Sequence, residues 1–117
     1  MVQKKVFDDY DCSHNRLENL KGAPEAIGNF KAAHNNLSDF EGSPQMVDGT
    51  FDCSHNNLSD FEKMPLNISG IFDFSHNKYT SFKGLPLYIE KMNHTGNPFG
   101  QSSSSNLAFK RAARTER

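Results

Sequence analysis

Apolar and polar residues alternate along this chain in short stretches, too short for an amphipathic helix but long enough for a strand with one buried face. In Phe51-Asp52-Cys53-Ser54-His55-Asn56-Asn57-Leu58-Ser59-Asp60-Phe61 the alternation stops at the His-Asn pair, and apolar residues then come at wider spacing. The pattern recurs. His-Asn pairs stand at 14/15, 34/35, 55/56 and 76/77, intervals of 20, 21 and 21, and Gly96-Asn97 follows 20 later. Five residues before each Asn stands Tyr10, Phe30, Phe51, Phe72 or Met92, and three before it Cys12, Ala32, Cys53, Phe74 or His94. Two after it come Leu17, Leu37, Leu58, Tyr79 and Phe99, and five after it Leu20, Phe40, Phe61 and Phe82. Pro24, Pro44, Pro65 and Pro86 follow, each leading three residues later to Ile27, Val47, Ile68 or Ile89.

Such units cannot bury an apolar face alone, but stacked neighbours share a continuous core. The expected architecture is a β-solenoid of about five short parallel strands in one sheet, with extended or 3₁₀ returns and little α-helix. Gly22, Gly42 and Gly84 give the returns their turn freedom, and a proline closes each one. The units fall near 6–26, 27–46, 47–67, 68–88 and 89–99. Residues 100–106 read as a Ser-rich linker, and 107–117 as a basic tail or a helix capped by Asn106. Leu107 and Phe109 would close the open end of the solenoid in one reading; in the other the tail waits for a partner.

This arrangement closely resembles the leucine-rich repeat, L-x-x-L-x-L-x-x-N/C-x-L, with Phe51, Cys53, Asn56 and Leu58 and their equivalents in the matching columns over residues 6–99. The wording G-x-P-x-x-I-x-G-x-F-D-C-S-x-N-x-L is similar to short repeat proteins of tailed bacteriophages. The departure is aromatic, because Phe replaces Leu at many core columns. The resemblance implies an asparagine ladder that bonds backbone groups between units, and a sheet face used to recognise proteins.

Composition makes sense only through the repeat. At 35% hydrophobic residues and a mean hydropathy of −0.72 the chain leans towards disorder, unless its apolar residues stand in register. No apolar run approaches the roughly 18 residues of a membrane helix. Met1-Val2-Gln3-Lys4-Lys5 is not followed by the apolar region of a secretory signal. The expected compartment is therefore the cytoplasm, that of the host cell if the phage resemblance holds, and the sequons at Asn36, Asn57, Asn67 and Asn93 are expected to carry no glycan. Net charge is −1; Lys110, Arg111, Arg114 and Arg117 against Glu116 give the tail +3, which leaves −4 for the rest. A body of that sign speaks against a generic nucleic-acid binder. Cys12 and Cys53 share one column two units apart, about 10 Å at the usual strand spacing and too far for a disulfide.

The candidate chemistry is spare. Asp11-x-Ser13-His14, Asp52-x-Ser54-His55 and Asp73-x-Ser75-His76 hold the residue types of a hydrolase triad, but neighbouring Ser and His point to opposite sides of a strand. Neither a nucleophile elbow nor a phosphate loop occurs, so no catalytic residue and no cofactor is expected. His14, His34, His55 and His76 form a column at the exposed end of the strand, with rings close enough to touch. A row of imidazoles does not converge on a metal, so no metal site is expected. A pH-sensitive surface is the other chemical reading, since clustered imidazolium charges repel.

The outward columns of the strand carry Asp9, Asn29, Thr50, Ile71 and Lys91, then Asp11, Lys31, Asp52, Asp73 and Asn93, then Ser13, Ala33, Ser54, Ser75 and Thr95. Four Asp against Lys31 and Lys91 make this face acidic, suited to a basic protein surface and repellent to phosphates. The reading is a monomeric protein-binding module that inhibits or redirects a host protein, such as a defence or expression factor. Its contact residues would be Asp11, Lys31, Asp52, Asp73, Ile71, His34, His55 and His76. As exposed charges, Asp52 and Asp73 are expected to tolerate reversal without loss of stability. The alternatives are nucleic-acid association through Lys110, Arg111 and Arg114, and a structural adaptor in the virion.

Overall fold

A computed structural model describes residues 7–89 and 91–99. The chain winds as a β-solenoid of about four turns, with no helix among the described residues. Its strands are β1 (Phe7–Asp11), β2 (Ala26–Lys31), β3 (Met46–Val47), β4 (Phe51–Asp52), β5 (Asn67–Ile68), β6 (Phe72–Asp73) and β7 (Met92–Asn93). They form one parallel sheet in the order β5-β3-β2-β4-β6-β7, with β1 also paired to β2. The register follows the repeat columns: Tyr10 opposes Phe30, Phe30 opposes Phe51, Phe51 opposes Phe72 and Phe72 opposes Met92.

The sheet forks because the repeat changes length. Two residues separate Ile27 from Phe30, but three separate Val47 from Phe51 and Ile68 from Phe72. The additional residue bends the chain at 48–49 and 69–70, so the continuous β2 is replaced by the pairs β3/β4 and β5/β6. One ladder then runs β2-β4-β6-β7 and the other β2-β3-β5. The second ladder, along the Ile27, Val47 and Ile68 column, makes the returns extended. Where the longer unit first meets the shorter one, Asn29 fills the mismatch. Its Oδ1 accepts the Thr50 N–H at 2.8 Å while its amide donates to Asp9 at 2.9 Å. Glycine at 49 leaves that carboxamide room, since a Cβ there would collide with it.

The core is the set of aligned columns. Phe30, Phe51, Phe72, Phe74, Leu37, Leu58, Phe40 and Cys53 are wholly buried. Tyr79 sits in a leucine column and stays satisfied there because its hydroxyl donates to the Asp60 carbonyl at 2.6 Å. Its ring stacks on Phe61 at 4.3 Å and meets Phe74 edge-on at 5.2 Å, so an aromatic side chain takes the place of leucine by packing against other rings. Phe99 stacks on Phe82 at 4.4 Å and, with Met92, packs against the end of the core. Cys53 is buried and Cys12 half-buried, and both are free thiols. The linker 100–106 and the tail 107–117 lie outside the described residues.

Candidate recognition face and its two ladders

Each unit leaves its strand through the His-Asn pair, and the two side chains part company there. Asn56 turns inward and is buried. Its Oδ1 accepts the N–H groups of Asn35 at 3.2 Å and Leu37 at 2.9 Å, and its amide donates to the carbonyls of Ala32 and Cys53, both at 3.0 Å. Asn35, Asn77 and Asn97 repeat the arrangement, each reaching into the unit before its own. The backbone groups left unpaired by the turn are thereby satisfied.

The preceding histidine takes the left-handed conformation, with φ of 62°, 58°, 56° and 54° at His14, His34, His55 and His76. Among non-glycine residues, His, Asn and Asp are the types enriched in that region. The histidine N–H still pairs with the next turn: His14 with Ala33, His34 with Ser54, His55 with Ser75 and His76 with Thr95, at 2.8–3.1 Å. The side chains stand exposed and stack face to face, with ring centroids 4.5, 4.2 and 4.3 Å apart and interplanar angles of 8°, 9° and 10°. Gly96 occupies the fifth rung at φ 78°, where a Cβ would collide with the His76 ring. Within the stack, burial lowers the His55 pKa first, and the charges of His34 and His76 lower it further, while Asp52 and Asp73 oppose the shift. Parallel rings do not aim their nitrogens at one point, and among the described residues no three His, Cys, Asp or Glu side chains gather around a possible ion position.

The aspartates are less free than an outward column implies. Asp52 and Asp73 are half-buried, and each accepts both the N–H (3.0 Å) and the hydroxyl (2.7 Å) of the serine two residues on, Ser54 or Ser75. The serine hydroxyl donates to the carboxylate, so the Asp-x-Ser-His run is a turn device. Asp11 accepts the Ser13 N–H at 3.0 Å, and that bond, then the Ser13 hydroxyl, holds its carboxyl below the usual range. These bonds correct two expectations. Ala33, Ser54 and Ser75 do not face outwards but are buried, the two serines with their hydroxyls bonded to Asp52 and Asp73. Reversing Asp52 or Asp73 is not harmless either, since it would strip a buried serine of its acceptor.

Lys31 and Ile71 are exposed, as are His34, His55 and His76, and Ile71 keeps 44% of its surface in contact with solvent. Ile71 lies just past the 69–70 bend and two residues before Asp73, on the β6 side of the sheet, while Asp52 opposes Asp73 across β4 and β6. The fold thus brings the acidic pair, the isoleucine and the inner histidines onto adjacent turns. Asp11 stands at the other end of the array, paired in register with Lys31. An open recess of about 220 Å³, lined by Ile68, Ser69, Gly70, Tyr88 and Lys91, lies beside the second bend. Lys110, Arg111 and Arg114 fall outside the described residues.

Repeat reading missed the left-handed rungs and a second row of turn caps. Asn19, Asp39, Asp60 and Ser81 each accept the N–H two residues on, at 3.0–3.2 Å, just before the corner. The signal for these caps was an unbroken column of Asn, Asp and Ser, the residues that favour such turns. No protein-family model matches this chain, and no curated protein or solved structure is significantly similar to it.

Proposed function

We propose that the chain is a non-enzymatic protein-binding module of the leucine-rich-repeat kind, which engages a basic surface of its partner through the face around β4 and β6. The observation that carries this reading is Ile71, an exposed apolar side chain on a face whose other rungs are polar. It stands beside two carboxylates whose positions are set by hydrogen bonds to Ser54 and Ser75. An exposed apolar side chain can seat the desolvated centre of an interface, with Arg or Lys of the partner reaching the aspartates beside it. His34, His55 and His76 extend the contact with imidazole edges able to donate or accept hydrogen bonds. The resemblance to bacteriophage repeat proteins supports a partner in the host cell, met in its cytoplasm and inhibited or redirected by occupation of its surface.

Affinity capture from cells expressing tagged protein tests this directly. Ile71→Asp and the double change Asp52→Asn/Asp73→Asn are expected to abolish capture while the thermal melt stays close to wild type, since asparagine retains an acceptor for each serine. Reversal of Lys110, Arg111 and Arg114 to Glu is expected to leave capture intact. Loss of capture in the tail variant alone, with binding that weakens steeply between low and moderate salt, would transfer the function to nucleic-acid association through the tail.

A further inference from the structure

The histidine ladder is an odd thing for a solenoid to keep on its surface. The left-handed rungs require only a residue that tolerates positive φ, and asparagine or glycine would serve. Four imidazoles in contact do something those residues cannot: they couple the protonation of one turn to that of the next.

We propose that the ladder of His14, His34, His55 and His76 is a proton-responsive clasp, stacked while its rings are neutral and forced open along the solenoid as the pH falls through the range in which imidazole titrates. Centroid separations of 4.2–4.5 Å leave no space for water or a counterion between the rings. One protonated ring can lie against a neutral neighbour, but two adjacent imidazolium rings repel at contact distance. Protons therefore enter on alternate rungs first, and further uptake requires adjacent charges. The left-handed backbone at each rung, with its N–H bonded to the following turn, fixes where the rings start from, and Gly96 leaves the His76 ring room at the end of the row. Repulsion is relieved as the exposed rings turn out of the row, which forfeits the stacking that joins one turn to the next.

The surrounding charges do not cancel the effect. Asp52 and Asp73 act on His55 in the direction of protonation, yet burial in the stack and the neighbouring histidines outweigh them. At the first rung Asp11 and Lys31 bring opposite signs. Arg16 and Lys78, exposed two residues after His14 and His76, add positive charge near both ends. For His55, whose folded pKa lies below its ordinary value of 6.5, the direction of linkage is fixed. The unfolded chain binds the proton more readily, so this contribution is intact above the unfolded pKa and is lost as the pH drops towards the folded one. The inference does not depend on whether the adjoining face binds a protein.

The test is urea unfolding of the full chain at pH 7.5 and pH 5.5, with the double variant His34→Asn/His55→Asn as comparison, since asparagine keeps the left-handed backbone. The wild-type folding equilibrium constant is expected to fall severalfold between the two pH values, and that of the variant to change much less. A wild type that holds its midpoint, or a variant that drops as far as wild type, overturns the proposal. Proton NMR titration of the imidazole Cε1–H signals gives a second readout on the wild type alone, independent of how well the variant folds. The ladder signals should follow curves broader than a single-site titration; four independent single-site curves would overturn the clasp.

Discussion

Two ladders run side by side through this molecule, one residue apart in the chain, and they are built on opposite principles. The asparagine ladder is buried, and each inner rung ties two turns through four or more hydrogen bonds. The histidine ladder is exposed, and its rungs touch only through their faces. Nothing in the composition of His-Asn separates these fates. The left-handed turn at histidine does, because it carries the next side chain into the core and leaves its own outside. A buried ladder is obligatory for folding; an exposed one is available for regulation or recognition.

The contrast can be broken most forcefully at Asn56. Asn56→Ala removes both acceptor and donor from the core and strands backbone groups that water cannot reach, each worth about 1–3 kcal/mol. The sum of at least about 4 kcal/mol should largely unfold a domain of ordinary stability, visible as loss of the cooperative urea transition. Asn15→Ala, at the exposed first rung, should cost only about 1 kcal/mol. Equal effects at the two positions would mean that the ladder is not held by burial. Phe51→Ala, in the same central turn, is expected to cost about 3–5 kcal/mol as a core truncation.

The corner glycines allow a finer comparison, again by denaturant unfolding. Gly42, Lys63 and Gly84 occupy equivalent corners with φ of 87°, 65° and 88°, so one lysine does the work of glycine. Gly42→Ala should lower stability by about 2–3 kcal/mol, because the added Cβ meets Lys21 backbone as well as an unfavourable φ. Lys63→Gly should raise it by up to about 1 kcal/mol through relief of the left-handed strain. The smallest effect belongs to the exposed ladder. His55→Asn at pH 7.5 should lie within about 0.5 kcal/mol of wild type. As the pH falls below the ordinary imidazole range, wild type should lose stability relative to this variant, because only wild type carries the depressed pKa.

Much of the solenoid was legible beforehand. Phe30, Phe51 and Phe72 announced the core side of the strands, and Asn35, Asn56 and Asn77 announced the turn that ends them, because stacking forces each column to meet one environment in every unit. The candidate face was read less well. Asp52 and Asp73 looked like free surface charges, but each is bonded to the serine two residues on, Ser54 or Ser75, a local contact that strict alternation does not reveal. The alternation rule carried Ser54 outward, and it fails where a strand ends.

The sequence by itself determined the repeat, its register and the identity of the core, since these follow from periodic burial and need no knowledge of any single turn. Only the tertiary structure decided how a one-residue change in repeat length forks the sheet, how Asn29 fills the mismatch, and that each ladder histidine takes the left-handed conformation. These depend on backbone angles and on contacts between turns about twenty residues apart, and a one-dimensional pattern specifies neither.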